Sequence, residues 1–313
     1  MGAYLLKRVV SLIPILFGIS VLVFTILHLV PGDPASIMLG TNATEESIAA
    51  LRKSMGLDQP LLTQYLTWAG GLLQGDFGVS VHSGQEILPE ILKRFSITLQ
   101  VTLFAVLIGW TIAIPFGIIS AIRAQSKTDI TVRIATLLGI SVPNFAVGTL
   151  LLLGMSLYFG WFPPIDVVSF WEDPVEAFKV FILPATTMGI VVAAGVMRMT
   201  RSAFLETMEK DFIRTARAKG NNKWTVVMGH AFRNSSIPIV TIAGMQIGSL
   251  LGGSVIVEQL FSIPGLGQYI LEAINQRDYP VVQGGVLFVA LVFVLVNLLI
   301  DLIYTWIDPR IKY

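Results

Sequence analysis

Residues 201–234 read RSAFLETMEKDFIRTARAKGNNKWTVVMGHAFRN, a polar island that carries seven of the chain's 21 Lys and Arg residues. Uncharged apolar runs at 181–197 and 237–257 flank it. Runs of that length and composition are spans, so the island is a loop on one side of a membrane. The same reading extends outward. Residues 9–30, VVSLIPILFGISVLVFTILHLV, contain no charge and would form about 33 Å of helix, enough to cross a bilayer. Lys7 and Arg8 precede this run, which is too long for a signal-peptide core and lacks a small-x-small cleavage site, so it reads as a retained first span. Further spans fit 97–122, 134–158 and 281–307.

The expected fold is therefore an all-α integral membrane protein with six transmembrane helices. Composition agrees: 54% of the 313 residues are hydrophobic and 13% charged, with a mean hydropathy of +0.75, whereas a soluble chain carries about a quarter charged residues. Counting Lys and Arg in alternate loops gives 15 on the side of the island and both termini and 6 on the other. The positive side is cytoplasmic. The predicted organisation is a cytoplasmic N-terminus and first span (1–30), an extracytoplasmic helical insertion (31–96), a core of five spans (97–307) containing the cytoplasmic loop 201–234, and a cytoplasmic tail (308–313).

Within the insertion, Thr44 can cap a helix that opens with Glu45 and Glu46, places Ile48, Leu51 and Met55 on one face and stops at Gly56. A second helix can start at Asp58-Gln59-Pro60, with Leu61, Tyr65, Trp68 and Leu72 on one stripe. The pair reads as a helical cap on the outer surface, either padding or part of a solute entrance. Asp76-Phe77-Gly78-Val79-Ser80 forms a turn, and Pro89 is expected to kink an amphipathic lead-in at 86–93. Trp161, Trp171, Trp306 and Tyr313 suit the membrane interfaces as anchors.

Polar residues at depth are the candidates for a translocation pathway. Ser141-Val142-Pro143-Asn144 interrupts the third span, as a packing kink or as a break whose Ser141 and Asn144 line a pathway. In the fifth span Gly244, Gly248 and Gly252 recur every four residues, with Gln246, Ser249 and Ser254 among them. The pattern serves close helix packing or a polar conduit.

No phosphate-cradling loop is present, nor any metalloprotease or serine-hydrolase motif. Cys is absent, which removes thiolate and Cys-metal chemistry. His28, His82 and His230 lie far apart, so no metal or cofactor is indicated. The net charge of +1 hides a strong separation of charge along the sequence and by itself says nothing about nucleic-acid or acidic partners; no nucleic-acid partner is expected. Asp301 is the clear ionisable residue inside the predicted spans. The midplane carboxylates of an ion-coupled carrier are missing, so a transported solute would draw its energy from another subunit. The island is where that subunit would act. Residues 208–219 have helical propensity, with Asp211 near the start and Arg217 and Lys219 near the end, complementing the helix dipole. Gly220 follows, where the chain can turn left-handed. Ala216 and Ala218 are small enough to admit a partner's surface. Basic charge alone would also attract anionic membrane lipid.

At these residues the sequence resembles the permease subunits of bacterial ATP-binding-cassette importers, in the dipeptide, oligopeptide and nickel branch. The resemblance rests on Asp211-Phe212-Ile213-Arg214-Thr215-Ala216-Arg217-Ala218-Lys219-Gly220 with His230, Arg233-Asn234 and Ile237-Pro238. Four more stretches agree: Pro31-Gly32-Asp33-Pro34, Gly75-Asp76-Phe77-Gly78-Val79-Ser80, the EQLFSIPGLG run from Glu258 to Gly267, and the tail Asp301 to Arg310 ending in Asp308-Pro309-Arg310. It implies a type I importer permease fold in the bacterial inner membrane. A homologous permease would form a heterodimer with it, two cytoplasmic ATPases would dock on the loops, and an extracytoplasmic solute-binding protein would deliver cargo. It further implies that Asp211 to Gly220 forms a coupling helix contacting the ATPase through Asp211, Arg214, Thr215, Ala216, Arg217, Ala218, Lys219 and Gly220. The expected function is half of the pathway of an ATP-driven importer for peptides or peptide-like solutes, and not an enzyme. The alternatives are a nickel or other small-solute importer, an ion-coupled secondary transporter, and a non-transporting scaffold.

Overall fold

A computed structural model describes residues 2–29, 34–39, 44–54, 56–164 and 166–307. All regular elements among them are helical. They fall into two compact units, one comprising Met1–Ile97 with Pro264–Val294 and the other Thr98–Ile263 with Leu295–Tyr313.

The first unit opens with α1 (Gly2–Leu29), α2 (Pro34–Leu39), α3 (Glu45–Ser54) and α4 (Leu61–Leu73). Thr44 caps α3 as expected, its Oγ1 accepting from Ser47 N at 3.3 Å. Beyond the helix Gly56 takes φ +67°. Two residues of the predicted α4 stripe meet α1: the Tyr65 and Ser20 hydroxyls pair at 2.8 Å, and Phe24 meets Tyr65 and Trp68, whereas Leu61 is exposed. The Asp76 turn is built on Gly75 and Gly78, both at positive φ, with Gly78 N donating to Asp76 Oδ1. It is anchored where Ser80 Oγ donates to the buried carboxylate of Asp278 at 2.6 Å. The unit closes with α12 (Leu266–Gln276), and α13 (Tyr279–Ile307) begins within it. Ile87, Ile91, Leu266, Val281 and Phe288 form its apolar core.

The second unit contains most of α5 (Ile87–Ile122), then α6 (Lys127–Ser141), α7 (Asn144–Phe159), α8 (Pro174–Met208), α9 (Asp211–Ala218), α10 (Arg233–Gly253) and α11 (Val255–Leu260). The most thoroughly buried of these is α8. Asp173 caps it with bonds from Val175 N and Glu176 N. Glycines let its neighbours approach to backbone distance. A Cβ at Gly117 of α5 would lie 2.9 Å from Met197 O, and one at Gly139 of α6 would lie 2.8 Å from Ala194 Cβ. Such positions exclude every larger residue without displacement of the helices.

Four described helices are each long and apolar enough to cross a membrane, and α6 with α7, bent by 104°, passes the same test when the two are taken together as one span. α1 covers the predicted first span, with a described apolar stretch at Val10–Ile26. The predicted third span, 134–158, is not one continuous helix. It starts earlier, at Lys127, and its halves meet at 104°. Val142 adopts φ −86°, ψ 126°, the extended conformation that a following proline imposes, and Pro143 then caps α7. The fifth span also differs from 237–257. It begins with π-helical turns at Thr225–Phe232, continues as α10 and breaks at Ser254. Pro89 kinks nothing, because α5 begins at Ile87 and a proline in the first turn removes no intrahelical hydrogen bond. The tail 308–313, residues 31–33 of the first motif, Met55 and Tyr313 lie outside the described residues, as does the side chain of Trp306.

Candidate functional site

The polar island resolves into the end of α8, the short helix α9 and the π-helical turns. The helix expected at 208–219 is shorter, Asp211–Ala218, because α8 runs on to Met208 and the chain turns at Glu209 and Lys210. Eight residues are too few to hold a helix in water by backbone bonding alone. Packing holds α9 instead: Ile213 and Ala216, three residues apart, are 0% and 5% exposed. Asn221 Nδ2 donates to Ala216 O at 3.0 Å, satisfying a carbonyl that the helix end leaves open. Gly220 then takes φ +80°. A Cβ there would meet nothing within 4 Å, so glycine is needed for the left-handed turn and not for space.

This geometry divides the expected coupling residues. Asp211, Arg214, Thr215, Arg217, Ala218, Lys219 and Gly220 are exposed. Ala216 faces inward, so its small size serves the chain's own packing and it offers no surface to a partner. Phe212, part of the quoted motif but not among the expected contact residues, is 38% exposed. An aromatic ring held out on a polar helix is the feature that could have singled it out. The Arg214–Asp211 pair, 3.4 Å apart and almost fully exposed, contributes little to stability.

Three buried polar knots hold the surroundings of this loop and of the span breaks. Asp129 of α6, with a side chain 1% exposed, accepts from Arg201 Nε at 2.6 Å and Nη2 at 2.9 Å. The same carboxylate accepts from Ser120 Oγ of α5 at 2.6 Å and from Gln125 N at 2.9 Å. Ser235 Oγ of α10 hydrogen-bonds to Ala203 O and pairs with the Thr207 hydroxyl of α8. Glu258 of α11, 1% exposed, accepts from Thr98 Oγ1 and Ser254 Oγ, each at 2.8 Å. Thus a fully buried carboxylate stands one residue beyond the predicted end of the fifth span.

Of the pathway candidates, Ser141 and Asn144 flank the 104° break. Ser249 is exposed on α10 and Gln246 half-buried, with the Gln246 amide against Gly195 of α8. Ser254 is inside the Glu258 knot. Gly244 packs against Ile300 of α13, which a Cβ would approach to 2.5 Å, so close helix approach is the role found at that glycine. Among the described residues no group of His, Cys, Asp and Glu could hold a metal ion.

Residues 113–313 match the family described as binding-protein-dependent transport system inner membrane component, and residues 1–102 match its N-terminal part. The dipeptide transport system permease protein DppB of Alkalihalophilus pseudofirmus is 39% identical over 333 aligned positions, covering 100% of both chains. The glutathione transport system permease protein GsiC of Escherichia coli K12 is 41% identical over 313, covering 99% of each. Among solved structures, the MetNI methionine ABC transporter aligns with a TM-score of 0.56 over 70% of this chain and 96% of its own, at 17% identity. An amino acid ABC transporter with histidines aligns with a TM-score of 0.51, over 71% and 94%, at 16% identity. These likenesses concern the fold, which is that of the type I importer permeases. The chain belongs to the family of binding-protein-dependent transport system inner membrane components.

Proposed function

We propose that the chain forms half of the translocation pathway of an ATP-driven importer for peptides or peptide-like solutes, and that α9 receives the work of a partner ATPase. The observation that carries the coupling role is α9 itself: an eight-residue helix seated by Ile213 and Ala216, ended by a left-handed Gly220, with Phe212, Arg214, Arg217 and Ala218 turned out. Lipid attraction requires only charge. A seated helix with an exposed ring suits a protein groove. The full-length relatives named for dipeptide and glutathione transport support the cargo class.

On this reading a second permease completes the pathway, two ATPases supply hydrolysis and a solute-binding protein delivers cargo. The excess of Lys and Arg on the α9 side supports a cytosolic location for α9 and both termini. Ser141, Asn144, Gln246 and Ser249 remain the pathway candidates, alternately accessible from the two sides. The test is reconstitution in proteoliposomes with the partner permease, ATPases and binding protein. Uptake of labelled dipeptide or glutathione should require ATP and binding protein, and should be absent with this chain alone. Gradient-driven uptake by the chain alone would contradict the proposal.

A further inference from the structure

Docking at α9 does not by itself move a span; something must join α9 to the helices that surround the pathway. The chain between them is α8, which ends three residues before Asp211 and is braced on two sides. On one side Ser235 bonds to Ala203 O and Thr207 Oγ1. On the other, the Asp129 carboxylate gathers donors from α5, the α5–α6 turn and α8 onto its two oxygens. Further along, α5 and α6 touch α8 through Gly109, Gly117 and Gly139, where a Cβ would come within 3.0 Å of α8 atoms.

We infer that Asp129 is a positioning residue: its ion pair with Arg201 makes α5, α6 and α8 one lever, so that displacement of α9 is carried along α6 to the break at Val142–Pro143. The inference rests on the docking role proposed for α9. Two physical arguments support it. The Asp129 carboxylate is buried while the Arg201 side chain is 23% exposed, and burying a charge in this way is a poor choice for stability alone, since apolar residues of similar volume often serve as well or better. What it supplies is direction. The fork of Nε and Nη2 on two carboxylate oxygens fixes rotation and sliding together, whereas an apolar contact would let α6 slip past α8. The glycine contacts resist compression of the helices toward one another, but they do not oppose separation at this end. The ion pair does, because parting it would leave a buried charge without its partner. α6 then runs uninterrupted from Asp129 to Ser141, so its far end is the break.

The experiment uses the assembled complex in proteoliposomes and reads solute transported per ATP hydrolysed. Asp129→Asn keeps the shape and removes the charge. The double variant Asp129→Leu with Arg201→Met replaces the pair by apolar packing, and it decides the matter if the single variant assembles poorly. Both should give complexes that hydrolyse ATP but transport at least about fivefold less solute per ATP, the scale on which residues along a coupling route act. Restored assembly in the double variant without restored coupling would separate positioning from a structural role. Wild-type transport per ATP in the assembled variants, with any loss confined to abundance, would overturn the inference. Ala218→Arg, on the exposed face of α9, serves as the separate control. If it leaves ATPase association intact, the docking reading fails; if it abolishes association while the Asp129 variants couple normally, only the lever fails.

Discussion

The two short helices α9 and α4 both interrupt the run of spans, and they are held in opposite ways. The eight residues of α9 send Ile213 and Ala216 fully inside, so its rear is seated and its charged face is free. The thirteen residues of α4 have no buried side chain. It touches α1 through the Ser20–Tyr65 hydroxyl pair and the rings of Phe24, Tyr65 and Trp68, while Leu61, Leu62, Leu66 and Leu73 stay 60–91% exposed. A helix proposed to receive force has to be seated on the rest of its chain, and the burial of Ile213 and Ala216 seats α9 in that way. α4 is held by a few contacts and leaves an apolar side exposed.

That contrast can be broken most severely at the exposed face of α9. Ala218→Arg leaves the helix intact, since Arg is a good helix former, but puts a long charged side chain where a partner must approach. ATPase association, measured by co-purification, should weaken by about 100-fold or more, the scale of a disrupted interface centre, while the permease still inserts. Gly220→Val comes next. Holding a β-branched residue at φ +80° costs on the order of 1–3 kcal/mol, so transport in the complex should fall several-fold with the spans still folded. Normal transport and ATPase stimulation in that variant would remove the turn from the mechanism. Tyr65→Phe should have the smallest effect. It removes the bond to Ser20, worth about 1 kcal/mol, and should raise hydrogen exchange in α4 with little change in ATPase association. A large loss of ATPase association would mean that α4 and α9 are not held independently.

How much was legible in the sequence follows from how local each feature is. Hydropathy alone located the apolar runs, although the third and fifth spans begin earlier than it indicated, and the Thr44 cap, the Gly56 turn and the left-handed Gly220 turn each depend on a few adjacent residues. The inward orientation of Ala216 was within reach, because Ile213 and Ala216 are three apart on one helical face. The break at Val142–Pro143 was half legible. Proline forces Val142 to be extended, but the 104° direction in which the helix resumes depends on packing such as Gly148 against Leu260, Phe261 and Thr187. The π-helical turns carry no sequence pattern. The buried carboxylates were out of reach for another reason: Asp129 meets Arg201 across 72 positions and Glu258 meets Thr98 across 160, separations at which no spacing rule operates. The sequence alone assigns Asp129 no role, and Glu258 enters only as the first residue of the EQLFSIPGLG stretch.

The central claim, that the outer face of α9 meets the ATPase while its inner face meets the chain, is tested most directly by cysteine mapping. The sequence has no Cys of its own, so a single introduced thiol reports one position. In the assembled complex, Ala218→Cys should cross-link to an ATPase subunit and Ala216→Cys should not. Cross-linking at Ala216, or none at Ala218 in a complex that retains its ATPases and transports, would contradict the account.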